Sequence, residues 1–354
     1  MEEDLRLELF TVAEVRDWLV HGNAVRGLSD EIISRTRAWA IVNSPYAKDE
    51  TYIISAIFVN NEVAAYTACF PDKMRRPFEM LVYWCTTLYV SPKFEGRGFA
   101  SIVLGQFVEI YGDCFFDLDA AAASQENLRF VGLTVEEIKQ YQVIKKPRRK
   151  VPFLPQKIAN VLANRQERRI KQSILNSLVS REFRLEYVTY VDDELYAFIE
   201  AHSSQDAFLR SQSIFNWMLR FPLRQECPLT HRIATGKYFA GDYATFKVYG
   251  VKCFVNNQLV GFYVLRNSTD DMAVKYLYYD IAYQDVLFAS IAEHLMKWEN
   301  YIFVTHNHKL AEYISKEINV YQINIIENIA FSHPQSYFYD KNLVIQCGDG
   351  DMLT

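Results

Sequence analysis

Lys93, Gly96, Arg97 and Gly98 are spaced so that together they can hold a phosphate. The two glycines present backbone N–H groups with no Cβ in the way, and the two basic side chains add positive charge at the same place. The amphipathic run Phe99 to Tyr111 follows. It reads as a helix, whose first-turn N–H groups lack partners within the helix and whose dipole favours an anion. Before the glycines, the apolar run Met80 to Val90 reads as a buried strand, and Ser91 to Glu95 as a short proline-bearing loop. Strand, glycine loop and helix start together specify an anion site.

Several phosphate loops share these parts. A Walker loop ends in Gly-Lys-Ser/Thr, which is missing from this segment. A dinucleotide fingerprint puts its glycines directly after the strand and an acid about twenty residues on. Asp117 and Asp119 stand near that distance, but five residues separate this strand from its glycines. Lys93-Phe94-Glu95-Gly96-Arg97-Gly98, led in by Leu88-Tyr89-Val90-Ser91-Pro92, resembles the pyrophosphate loop of the GNAT superfamily of acyl-CoA N-acyltransferases. Lys93 stands where Arg or Gln is commoner in that family. The match extends over roughly residues 5 to 146.

The resemblance implies an N-acetyltransferase that moves an acetyl group from acetyl-CoA, with no metal, to a primary amine. It implies that backbone N–H groups around Leu88, Tyr89 and Val90 hold the thioester carbonyl. Lys93, Phe94, Glu95, Gly96, Arg97, Gly98, Phe99 and Ala100 would hold the pyrophosphate, and Asn127 would touch the CoA arm. The amine must be neutral to attack, so a base is needed. Glu79, Tyr83 and Asp119 are the candidate catalytic residues. The tyrosine that such enzymes use to protonate the leaving thiolate has no counterpart, since Phe130 and Thr134 stand in its region and Tyr141 comes late. The acceptor class is a small amine or amino sugar. The alternative is a non-catalytic CoA-binding or scaffold protein that keeps the fold.

The chain's 354 residues call for two domains. Half of them are apolar, with 24 Phe and 23 Tyr, enough for two cores. The net charge of −5 predicts no overall attraction to nucleic acid or to a membrane. There is no apolar run of eighteen residues, and the start is acidic, so a cytoplasmic protein is expected. Six scattered cysteines, with no Cys-x-x-Cys pair, read as reduced thiols. His306-Asn307-His308 lacks a third ligand and reads as a loop pair.

The wider pattern predicts an α+β protein with mixed sheets. Residues 1–146 form an acyl-CoA-binding domain, and Asn60-Asn61 turns its hairpin. Residues 147–180 form a basic helical linker, with a phosphate or nucleic-acid surface as the other reading of its cations. Residues 181–354 repeat the element order as a degenerate second copy, with Asn256-Asn257 at the equivalent turn. That copy has no glycine loop. Its helix starts Tyr283-Gln284-Asp285, and Asp285 would repel a pyrophosphate.

Overall fold

The computed structural model describes residues 3–22, 25–75, 79–118, 122–145, 156–179, 182–220, 247–268, 271–298, 300–317, 321–332 and 343–350. They form two compact units. The first comprises Met1–Ile138, Gln205–Tyr243 and Asn328–Thr354, and the second Lys139–Ser204 and Ala244–Glu327.

The first unit begins with β1 (Leu5–Thr11) and α1 (Val12–His21). Thr11 caps α1, accepting from the N–H of Glu14 while the Glu14 carboxylate accepts from the N–H of Thr11. Then come α2 (Arg35–Val42), β2 (Tyr52–Val59), β3 (Glu62–Met74) and β4 (Met80–Val90). Asn60 and Asn61 turn β2 into β3 with φ of 51° and 64°. Asparagine tolerates this left-handed pair, which matches the twist of the strands. α3 (Phe99–Tyr111), β5 (Phe115–Leu118) and α4 (Ala122–Phe130) complete the run.

β6 (Thr134–Lys145) then leaves the first unit. Its Tyr141 to Ile144 lie opposite Thr305 to Ile302 in the second unit. In return, the end of β12 (Tyr321–Ser332) enters the first unit, where Ala330, Phe331 and Ser332 lie opposite Leu118, Asp117 and Phe116. The strand order is β1-β2-β3-β4-β5-β12 in the first unit. Contiguous domains at 1–146 and 181–354 therefore do not describe the molecule. The helix expected as a linker, α5 (Gln156–Val179), is part of the second unit, packing Ile174 and Leu178 into its core.

The second unit continues with β7 (Phe183–Val188), α6 (Asp193–His202), β8 (Lys247–Val255), β9 (Gln258–Asn267) and β10 (Asp271–Tyr279). α8 (Gln284–Trp298), β11 (Ile302–Thr305) and α9 (His308–Glu317) follow. Asn256 and Asn257 repeat the hairpin turn at φ of 49° and 62°. The strand order is β6-β11-β10-β9-β8-β7. α7 (Gln212–Arg220) returns to the first unit, where Trp217 stacks on Phe70 and donates to the Ala40 carbonyl.

A buried ion cluster binds distant parts of the first unit. The Arg210 guanidinium donates to both Asp72 oxygens, at 2.8 and 3.0 Å, and to Asp349 at 2.6 Å. Trp84 Nε1 also donates to Asp72. All three charged groups are almost fully buried. Each carboxylate thereby gains the partners that burial of a charge requires.

Candidate functional site

β4 ends at Val90, and Ser91 ties the loop back by donating its N–H to the Ala64 carbonyl at 2.8 Å. Pro92–Phe94 makes one tight turn. Phe94 and Phe99 are buried against Val59, Ala64, Ala65 and Val103, so both ends of the loop are pinned to the core. Between them Glu95, Gly96, Arg97 and Gly98 are exposed. Gly96 and Gly98 have φ of 77° and 76°, and a Cβ at either would meet nothing within 4 Å. The cradle is open, and its left-handed turns suit glycine.

Gly98 caps α3 without a side-chain bond, and the first turn carries no acid. The first-turn N–H groups thus face the loop at the positive end of the helix dipole. Lys93 pairs with Glu62, and Arg97 with Glu3, all at the surface. The Arg97 guanidinium lies over the Phe99 ring at 4.8 Å. Exposed pairs of this kind are weak, so a phosphate can compete for both cations. Ser101, in the first turn of α3, donates its hydroxyl to Asn127 Oδ1 at 3.0 Å. The structure therefore gathers Lys93 to Ala100 and Asn127 around one helix start.

Beside this site two parallel strands part. β4 pairs with β5 only from Tyr83 to Cys85, opposite Phe115 to Asp117. On its other side β4 stays paired with β3 through Val90. Ala68 faces Thr87 and Cys69 faces Cys85, so Thr86 is an extra, bulged residue just where β5 departs. The Thr86 carbonyl accepts from Arg37 Nη2 at 3.3 Å, and Arg37 is itself buried. Leu88, Tyr89 and Val90 lie beyond the bulge, half-buried along the opening. Asp117 and Cys85 stand at its root. Burial and the neighbouring Asp117 carboxylate push the Cys85 thiol well up, so it stays protonated and is a poor nucleophile.

The catalytic candidates lie elsewhere. Glu79 precedes β4 at the end remote from the loop and pairs with Lys73. Seven residues of strand put it roughly 20 Å from Thr86, beyond hydrogen-bond reach of chemistry at the opening. Tyr83 stacks on Tyr111 with ring centroids 3.6 Å apart, and burial raises its phenol above 10. Asp119 lies outside the described residues. Phe130, at the end of α4, is 81% exposed, and Thr134 donates to the Ser332 carbonyl. Tyr141 belongs to the second unit, against His308. Sequence reasoning missed the Thr86 bulge and Arg37, because a bulge is a mismatch between two strands and leaves no mark on either alone.

The second unit repeats the opening without the cradle. β10 pairs with β11 only over Asp271 to Ala273, and its own bulge falls at Lys275. Then Ile281–Tyr283 makes a tight turn, and Asp280 caps it by accepting from the N–H of Ala282. Asp285 occupies the first turn of α8. Side-chain oxygens and an acid fill the place that glycine N–H groups hold in the first unit. Asn307 caps α9 by accepting from the N–H of Leu310, and His308 pairs weakly with Glu312.

The paired strands, bulge and loop-opened helix, present once with and once without glycines, are the fold of the GCN5-related N-acetyltransferases, arranged in tandem. A probable N-acyltransferase from Enterococcus faecalis V583, a conserved protein of unknown function, is similar in structure with a TM-score of 0.51 at 10% identity, covering 93% of this chain and 72% of that one. A GCN5-related N-acetyltransferase from Anabaena variabilis scores 0.51 at 11% identity, covering 92% and 72%. The N-myristoyltransferase of Saccharomyces cerevisiae, solved with bound myristoyl-CoA, scores 0.50 at 9% identity, covering 93% and 82%. No protein-family model matches the sequence, and no curated protein matches it either. At such identities the likeness establishes the fold alone.

Proposed function

We propose that the chain is a cytoplasmic acyl-CoA-dependent N-acyltransferase whose first unit binds acetyl-CoA and acetylates a primary amine of a small molecule, such as an amino sugar. The observation that carries this reading is the exposed Gly96–Gly98 cradle at the start of α3, set beside the parting of β4 and β5. The pyrophosphate would lie on the N–H groups of residues 94–100, with Lys93 and Arg97 as counter-charges and Asn127 along the arm. The thioester would enter the opening, its carbonyl facing the backbone of Leu88 to Val90.

In the reaction the amine nitrogen bonds to the acyl carbon, the C–S bond breaks, and the amine proton passes to a base. Backbone donors at the carbonyl stabilise the charge that develops there. Asp117, opposite Cys85 at the last β4–β5 pair, stands at the root of the opening, and it takes the place of Glu79 as our candidate base. Asp119 remains a candidate by its position after β5. Tyr83 stays protonated, as a proton donor to the thiolate must, although its stacking on Tyr111 favours a packing role.

The test is release of free CoA from acetyl-CoA on addition of polyamines, amino acids or hexosamines. Amine-dependent release that a Gly98→Glu variant lacks is expected. Phe130 and Thr134, standing where such enzymes carry the leaving-group tyrosine, favour a second reading, a CoA-binding protein without turnover. Saturable acetyl-CoA binding with no CoA release across the whole panel would decide for it.

A further inference from the structure

The net charge of −5 hides a sharp segregation. Residues 145–180 hold ten of the chain's 38 Lys and Arg and one of its 43 Asp and Glu, so they carry +9 and the remainder carries −14. Within that stretch, α5 is held to the second unit by one face, through Ile170, Ile174 and Leu178. Its outward face carries Ile158, Val161, Arg165, Arg168 and Arg169. At about 100° per residue these five fall within an arc of roughly 100°. Ile158 and Val161 are 50% and 64% exposed, and all three arginines are exposed. Among the described residues no carboxylate pairs with any of the three. Glu167, on the opposite face, pairs with Lys145.

We propose that this face of α5 docks on an anionic lipid surface. Both halves of the stripe serve such a contact. Exposed aliphatic side chains enter the headgroup boundary, and guanidinium groups meet the lipid phosphates. Nucleic acid would use the arginines but leave Ile158 and Val161 idle. Phe153 is the single aromatic in residues 145–180 that could stack on a base. The acidic remainder is repelled by the same surface, so the molecule approaches with α5 foremost. The expectation of no membrane partner rested on net charge, which averages this asymmetry away.

The test is flotation of the full chain with phosphatidylcholine vesicles, with and without phosphatidylserine. Flotation only with phosphatidylserine, weakening as salt is raised, is expected. At about fivefold per charge, Arg165→Gln/Arg168→Gln/Arg169→Gln should lower partitioning roughly a hundredfold. Ile158→Ser/Val161→Ser should lower it several-fold. Both sets are exposed, so thermal midpoints should hold, and neither readout depends on acyl transfer. Failure of the wild type to float with phosphatidylserine would overturn the proposal, with or without retention on RNA. So would equal flotation of a folded arginine variant.

Discussion

Gly96 and Gly98 matter for what they lack. Each sits in the left-handed region with open space where a Cβ would point, so the loop's N–H groups can be approached from solvent. His294 shows the opposite design, a polar group sealed in. Its Nδ1–H donates to the Ser290 carbonyl and its Nε2 accepts from the Tyr187 hydroxyl, both at 2.7 Å. Burial holds its pKa below the ordinary 6.5. The unfolded chain therefore takes up the proton first, and stability falls as pH drops below about 6.5 toward the native value. Thermal unfolding from about pH 7 to about pH 5 should show this loss. His294→Gln should start less stable at pH 7 but lack that extra acid sensitivity. Equal acid sensitivity in both proteins would contradict the assignment.

Two elements, α3 and α8, occupy corresponding places, and their starts divide the labour. α3 opens from glycines, and α8 from a turn capped by Asp280 with Asp285 beside it. α8 is also pressed closely to its sheet at Gly261, where an added Cβ would come within 2.2 Å of Leu287 Cδ2. Leu287 is fully buried and cannot swing out. Gly261→Ala should therefore cost about 1–3 kcal/mol by overpacking, read as a shift in denaturant midpoint at unchanged slope. No shift would mean that α8 moves freely over β9.

Across the whole molecule, local signals were legible and remote ones were not. The Asn60-Asn61 and Asn256-Asn257 turns and the glycine loop depend on neighbours in sequence, and all of them stood out there. The Asp72–Arg210–Asp349 cluster spans separations of 138 and 139 residues, and nothing near any of the three announces it. The exchange of β6 and β12 was hidden for the same reason, since a strand pattern does not say which sheet receives it. That exchange has a consequence for dissection. A fragment of residues 1–146 lacks Arg210, Asp349, α7 and the strand beside β5. It should show no cooperative thermal transition, because Asp72 would be left as a buried, unpaired charge. A fragment that melts cooperatively would show that the first unit is complete without the returning segments.

Calorimetric titration with acetyl-CoA probes the donor site most directly. It would use the wild type, Gly98→Ala, Gly98→Glu and Asp285→Ala. Gly98→Ala carries the backbone strain alone, about 1–2 kcal/mol, and Gly98→Glu adds bulk and charge in the cradle. One molecule should bind per chain, with affinity lost in Gly98→Glu, largely kept in Gly98→Ala and unchanged in Asp285→Ala. No binding by folded wild type, or undiminished binding by Gly98→Glu, would contradict the assignment of the first unit as the acyl-CoA site.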